Sequence, residues 1–82
     1  MRSKLFSIHD VKAGAYLPPF WLPTIEMARR SFADCVNMET HAFAKHPEDY
    51  TLFHVGDFDD ETGRLEPVEP VSFGNGVDFR RE

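Results

Sequence analysis

The sequence predicts an α+β fold: a small antiparallel sheet, in the chain order β-β-α-β-β, with one amphipathic helix packed on one face. Three observations predict it. Lys4–Asp10 and Tyr50–Phe58 are rich in aromatic and β-branched residues and alternate as strands do. Between them, Ile25, Ala28, Phe32, Cys35 and Val36 recur at three- and four-residue steps, which draws one apolar stripe down a helix. Glycine-bearing turns at Asp10–Gly14 and Asp59–Gly63 fold the strands back on themselves.

In the first strand, Phe6 and Ile8 point one way, and Leu5, Ser7 and His9 the other. Ala15–Trp21 follows as an extended segment. Pro18 and Pro19 remove two ladder donors and push their predecessors out of the helical region, so this segment belongs at a sheet edge. Thr24 is the expected helix N-cap, with Glu26 near the positive end of the helix dipole, and the helix should end near Asn37–Glu39. Arg29 and Arg30 read as a solvated face.

Thr40–Tyr50 is a connector anchored through Phe43, and His46–Asp49 reads as a turn or one helical turn because proline tolerates the first helical position. In Tyr50–Phe58, period-two alternation puts Phe53 and Val55 on one face and Tyr50, Leu52, His54 and Phe58 on the other. Both faces are partly apolar, which places this strand centrally, with the helix over one side. Arg64–Val68 is the returning strand, and Pro70 should end its pairing. The expected organisation is a single α+β domain over residues 1–70 and a loose tail over 71–82 that docks through Phe73 and Phe79.

An 82-residue chain is at most one domain, and it buries only about 60% of its unfolded surface. Cys35 is the single cysteine, so an intramolecular disulfide is impossible and no cysteine pair is present to hold zinc. The expectation for Cys35 is a small apolar residue in the core, and a lone thiol fits a reducing compartment. The apolar runs fall well short of the roughly 18 residues a membrane span needs, and no secretory signal is visible, so a soluble intracellular protein is expected. The net charge of −5 argues against coating nucleic acid by bulk charge. Eight Phe, two Tyr and one Trp offer rings that can fill a core or stack on bases.

Signatures of catalysis are missing. Asp57, Asp59, Asp60 and Glu61 lack the calcium-loop pattern and read as a solvated hairpin tip. His9, His41, His46 and His54 form no zinc spacing, so no metal and no cofactor are expected. Ser7, Ser31 and Ser72 sit in no nucleophile elbow, and Gly74-Asn75-Gly76 has no lysine at phosphate-loop spacing. A non-enzymatic protein is expected. Binding of single-stranded nucleic acid needs aromatic platforms beside cations. Tyr16, Phe20, Trp21, Tyr50 and His54 are the candidate platforms; Lys4, Lys12, Arg29, Arg30 and Lys45 are the candidate cations, and Arg80 and Arg81 add charge at the end of the chain. A partly apolar second sheet face is equally suited to self-association.

Three blocks carry a family resemblance. They are K-L-F-S-I-H-D-V-K-A-G-A-Y-L-P-P-F-W at Lys4–Trp21, A-R-R-S-F-A-D-C-V-N at Ala28–Asn37, and K-H-P-E-D-Y-T-L-F-H-V-G-D-F-D-D-E-T-G at Lys45–Gly63. In this order they resemble the small nonstructural protein of gokushoviruses, single-stranded DNA phages of the Microviridae. The resemblance implies a phage early protein of the host bacterial cytoplasm, absent from the mature virion. It implies a role in viral DNA replication, through binding single-stranded DNA or through the switch to single-strand synthesis. It brings no catalytic motif. The partners expected are single-stranded DNA and a second copy of the chain in a homodimer or higher oligomer, with no membrane. The alternative is a protein-interaction module that recruits a host or phage replication protein without touching DNA.

Overall fold

The computed structural model describes residues 2–81. The fold is α+β, as the sequence predicts. Its order is β1 (Arg2–Asp10), β2 (Ala15–Tyr16), β3 (Phe20–Leu22), α1 (Ile25–Val36), α2 (Ala42–Lys45), a 3-10 turn (Pro47–Asp49), β4 (Tyr50–Asp59), β5 (Arg64–Asn75) and α3 (Gly76–Phe79). All strand pairs are antiparallel, and the sheet runs β2-β1-β4-β5, with β3 also paired to β1.

The expected proline-bearing edge segment is present but split. β2 and β3 both pair with β1, at His9 opposite Tyr16 and at Leu5 opposite Trp21. Leu17-Pro18-Pro19 bows away between them because two adjacent prolines cannot donate to a ladder. Its anchors are the Leu17 N–H on the Ile8 carbonyl (2.8 Å) and the Ser7 hydroxyl, which donates to the Leu17 carbonyl (2.7 Å). That second bond satisfies Ser7, which is buried at 3% exposure.

α1 begins where the sequence places it. The Thr24 hydroxyl accepts from the Met27 N–H at 3.2 Å, and the Asn37 N–H closes the last turn on Ala33. Its buried stripe of Ala28, Phe32 and Val36 packs on Phe6, Ile8 and Leu52 of the sheet, and this is the core. Cys35 does not join it, for it is only half-buried. Among the described residues, no helix is long and apolar enough to cross a membrane.

Three expectations are corrected. Alternation does not persist along β4. Phe6 pairs with His54 but Leu5 pairs with Gly56, so Val55 is an extra, bulged residue. Beyond the bulge the faces exchange, and Phe58 lies opposite the face that holds Tyr50, Leu52 and His54. Nor does Pro70 end the returning strand. Pairing resumes at Val71 opposite His54 and continues to Asn75 opposite Thr51, with Pro70 in the irregular stretch that follows Pro67. β5 is an edge strand, which is where prolines are tolerated.

The segment beyond residue 70 is also no loose tail. It completes β5 and then forms α3, opened by a capping box between Asn75 and Asp78. Phe79 meets Phe32 edge-on at 5.3 Å, and its carbonyl accepts from the Asn37 amide at 3.0 Å. Arg80 donates to the Ala44 carbonyl at 3.0 Å, and Arg81 to Asp34 at 3.3 Å. Short helices at α2 and α3 therefore join the single helix expected, all on one side of the sheet.

Gly76 makes this docking close. A Cβ there would collide with the Pro47 carbonyl, in backbone that cannot swing aside. Gly76→Ala is expected to destabilise the fold by about 1–3 kcal/mol, as overpacking does. Exposed Val77→Ala should stay within about 0.5 kcal/mol of the parent. Urea unfolding of the two variants against the parent checks this.

Candidate nucleic-acid interface

The helices cover the face of the sheet that carries Phe6, Ile8 and Leu52. The register assigns the opposite, outer face to Ser3, Leu5, Ser7 and His9 of β1, Trp21 of β3, and Thr51, Phe53 and Phe58 of β4. These eight positions include no Lys, Arg, Asp or Glu.

Two aromatic groups stand on this face. At one end Tyr16 meets Phe53 edge-on at 5.5 Å and His9 at 4.7 Å. At the other Trp21 meets Phe58 edge-on at 5.4 Å. Tyr16 and Trp21 remain 46% and 48% exposed, so each keeps about half its surface free for a ligand. Between the two groups runs an apolar groove of about 560 Å³, walled by Leu5, Val55, Pro18, Pro19 and Pro70. The bowed Leu17-Pro18-Pro19 segment forms one wall, and the irregular stretch of β5 around Pro70 forms the other.

Of the ten residues the sequence singles out, the structure brings Tyr16 and Trp21 to this face. Three other candidate rings are turned to the helix side. Phe20 stacks on Phe6 at 5.9 Å, Tyr50 lies on Phe43 at 4.4 Å, and His54 sits between Phe6 and Phe73. His54 Nε2 is 2.9 Å from an Asp57 carboxylate oxygen, and both side chains are largely buried. These three rings pack among the helix-side aromatics and not on the outer face.

The five cations do not gather into one groove. Lys4 is on the helix-side row of β1, opposite Leu22 and Asp57. Lys12 is exposed on the β1–β2 turn, the turn nearest Tyr16. The Arg29 guanidinium lies over the Phe73 ring at 5.4 Å, Arg30 is exposed on α1, and Lys45 ends α2. Sequence reasoning missed Phe53, Phe58 and His9 as members of the aromatic groups. The alternation of β1 and β4 was the available signal for His9 and Phe53. For Phe58 the bulge concealed it.

Two features lie elsewhere. The ligand atoms of His46, Glu48 and Asp49 come within 4.8 Å of one another, on the solvated 3-10 turn. A second cleft, of about 350 Å³, lies between α1 and Leu17-Pro18, with Phe20, Phe32 and Phe43 in its walls and Cys35 and Ser31 on the helix side. Burial pushes the Cys35 thiol above its usual pKa, and the neighbouring Asp34 carboxylate adds to the shift. Burial also raises the Tyr50 phenol, with further contributions from Asp10 and Asp49.

The fold and this face define a small α+β protein that carries all its helices on one side of the sheet. The chain belongs to the Phage ORF5 protein family, whose model matches residues 3–79. No curated protein and no solved structure matches it.

Two outcomes follow from the geometry. His54→Ala should destabilise the fold by about 1–3 kcal/mol, because it strips the ring contacts with Phe6 and leaves Asp57 without its partner. It should not change ligand binding at the outer face, which urea unfolding and a binding titration on one sample separate. With its pKa raised, Cys35 holds less thiolate at neutral pH than a free cysteine. Its alkylation by iodoacetamide should therefore be slower than that of a model thiol at pH 7.5, and should keep accelerating above pH 9.

Proposed function

We propose that this protein is a non-enzymatic phage accessory protein that binds single-stranded DNA on the outer face of its sheet, in support of viral DNA replication or of the switch to single-strand synthesis. The observation that carries the reading is the pair of half-exposed rings, Tyr16 and Trp21, each braced edge-on by a phenylalanine on one uncovered face. Bracing matters because a ring already held in place loses little rotational freedom when a base stacks on it. Membership in a phage protein family supports the setting, and the resemblance to gokushovirus nonstructural proteins supports the replication role. The protein would then work in the host bacterial cytoplasm and leave no copy in the mature virion.

Base–aromatic stacking is worth about 1–3 kcal/mol per base. Two platforms each contributing about 2–2.7 kcal/mol, within that range, place the affinity for a short strand on the order of 0.1–1 mM. Tight coating of long DNA is not part of this reading, because the molecule carries a net charge of −5. A fluorescence-anisotropy titration with a labelled oligothymidylate tests it. Trp21→Ala and Tyr16→Ala should each weaken binding by about 5- to 100-fold, while Arg30→Ala on α1 should leave it unchanged.

A second reading is favoured by the uncharged character of the same face. Such a surface also suits a protein partner, a host or phage replication factor or another copy of the chain. Under that reading the oligonucleotide does not bind, and a partner retained after nuclease treatment is lost with Trp21→Ala.

A further inference from the structure

The charge pattern of the outer face says more than that a strand binds there. This inference rests on the single-stranded DNA reading and concerns what that surface recognises. Phosphate recognition needs Lys or Arg within reach of the backbone, and each contact releases counterions. The β1, β3 and β4 positions on this face supply none. Lys4 is on the other side of the sheet, Arg29 is engaged over Phe73, and Arg81 is paired with Asp34. Only the exposed Lys12 among the five candidate cations lies at an end of the face.

What the face does supply is spacing. Trp21 pairs with Leu5 and Tyr16 with His9, four residues apart on β1. At about 3.3 Å per residue the two platforms stand roughly 13 Å apart along the strand. Stacked bases lie far closer together than that, so neighbouring bases of a stacked strand cannot occupy both rings. The strand must be splayed, with at least one nucleotide over the apolar groove between Leu5, Val55 and the prolines. A duplex cannot splay in this way without losing its pairing.

We infer that the outer face is a base-reading site for a short, splayed single strand of at least three nucleotides, bound by stacking and apolar contact with almost no contribution from its phosphates. The sign of the salt effect follows. A protein of net charge −5 and a polyanion repel each other, and added salt screens that repulsion. Affinity should therefore stay level or rise slightly with ionic strength. Three phosphate contacts would instead lower it by about 20-fold between 50 and 200 mM salt, from the single-strand slope.

The test uses the intact chain and oligothymidylates of two to eight nucleotides at 50, 100 and 200 mM NaCl. Trp21 is the only tryptophan and reports directly on stacking. The expected result is quenching that strengthens from two to three or four nucleotides and then levels off. Its affinity should change by less than about twofold across the salt series, and a 12-base-pair duplex should not compete. Trp21→Ala and Tyr16→Ala, both at half-exposed positions, then weaken a labelled tetramer in anisotropy while circular dichroism stays native. Binding that falls 20-fold or more over the salt series and survives both substitutions overturns the inference and leaves the single-stranded DNA reading standing. No binding of any length up to millimolar oligonucleotide overturns both. Sedimentation that shows a dimer lost with Trp21→Ala, insensitive to oligonucleotide, also overturns both and assigns the face to a second copy.

Discussion

The extra residue at Val55 sets the character of both sides of the sheet. β4 must bury Leu52 and His54 under the helices at one end and still run alongside β1 at the other. Strict alternation would carry Phe58 to the helix side as well. One inserted residue, opposite the Leu5–Phe6 step, exchanges the faces and sends Phe58 outward to brace Trp21. Gly56 follows, where a Cβ would stand 3.2 Å from the Glu66 carbonyl oxygen and 3.5 Å from the Leu5 side chain. A bulge that bends a strand is normally conspicuous for what it breaks. Here it separates a core half of the strand from a display half.

The helix side bears the stability that the outer side does not. Six residues make its continuous buried cluster, which is small even for a chain of this length. The margin is widened by a second ring of half-buried aromatics. Phe43 bridges Phe32 and Tyr50, and Phe79 closes on Phe32 from the C-terminal segment. α3 and the two residues after it dock here as well and reinforce the core.

Much of this was legible in the sequence, where short-range chemistry decides. The Thr24 cap, the three- and four-residue stripe of α1, the Asp59–Gly63 turn and the proline-bearing edge each rest on neighbours in the chain, and each is present. Two of the misses share one cause, which is that they depend on a partner strand. The bulge at Val55 exists only because of the register with β1. β5 passes Pro70 because an edge strand has ladder positions that need no donor. The capping box at Asn75 could have been seen, since an Asn three residues ahead of an Asp before Phe79 is a local signal. Of the five candidate rings, two stand on the outer face and three on the helix side. Ring type says nothing about face, and only the pairing of β1 with β3 separates Trp21 from its neighbour Phe20.

Two kinds of cation share this molecule, and the distinction bears on how it could meet DNA at all. Arg29, Arg80 and Arg81 are tied to the protein by a ring, a backbone carbonyl and a carboxylate, so their charge serves the docking of α1, β5 and the C-terminal segment. A guanidinium held in this way makes a poor mobile clamp for phosphate, since engaging a strand would give up contacts it already has. The bound arginines lie on the helix side and the half-exposed rings Tyr16 and Trp21 on the other, so fixed positive charge and exposed rings are kept apart. Proteins that coat single strands combine the two in one groove and bind wherever backbone is present. Under the proposed reading, a surface offering only rings and a splayed path would select instead for bases already free of their partners, a selection that matters where duplex and single strand coexist.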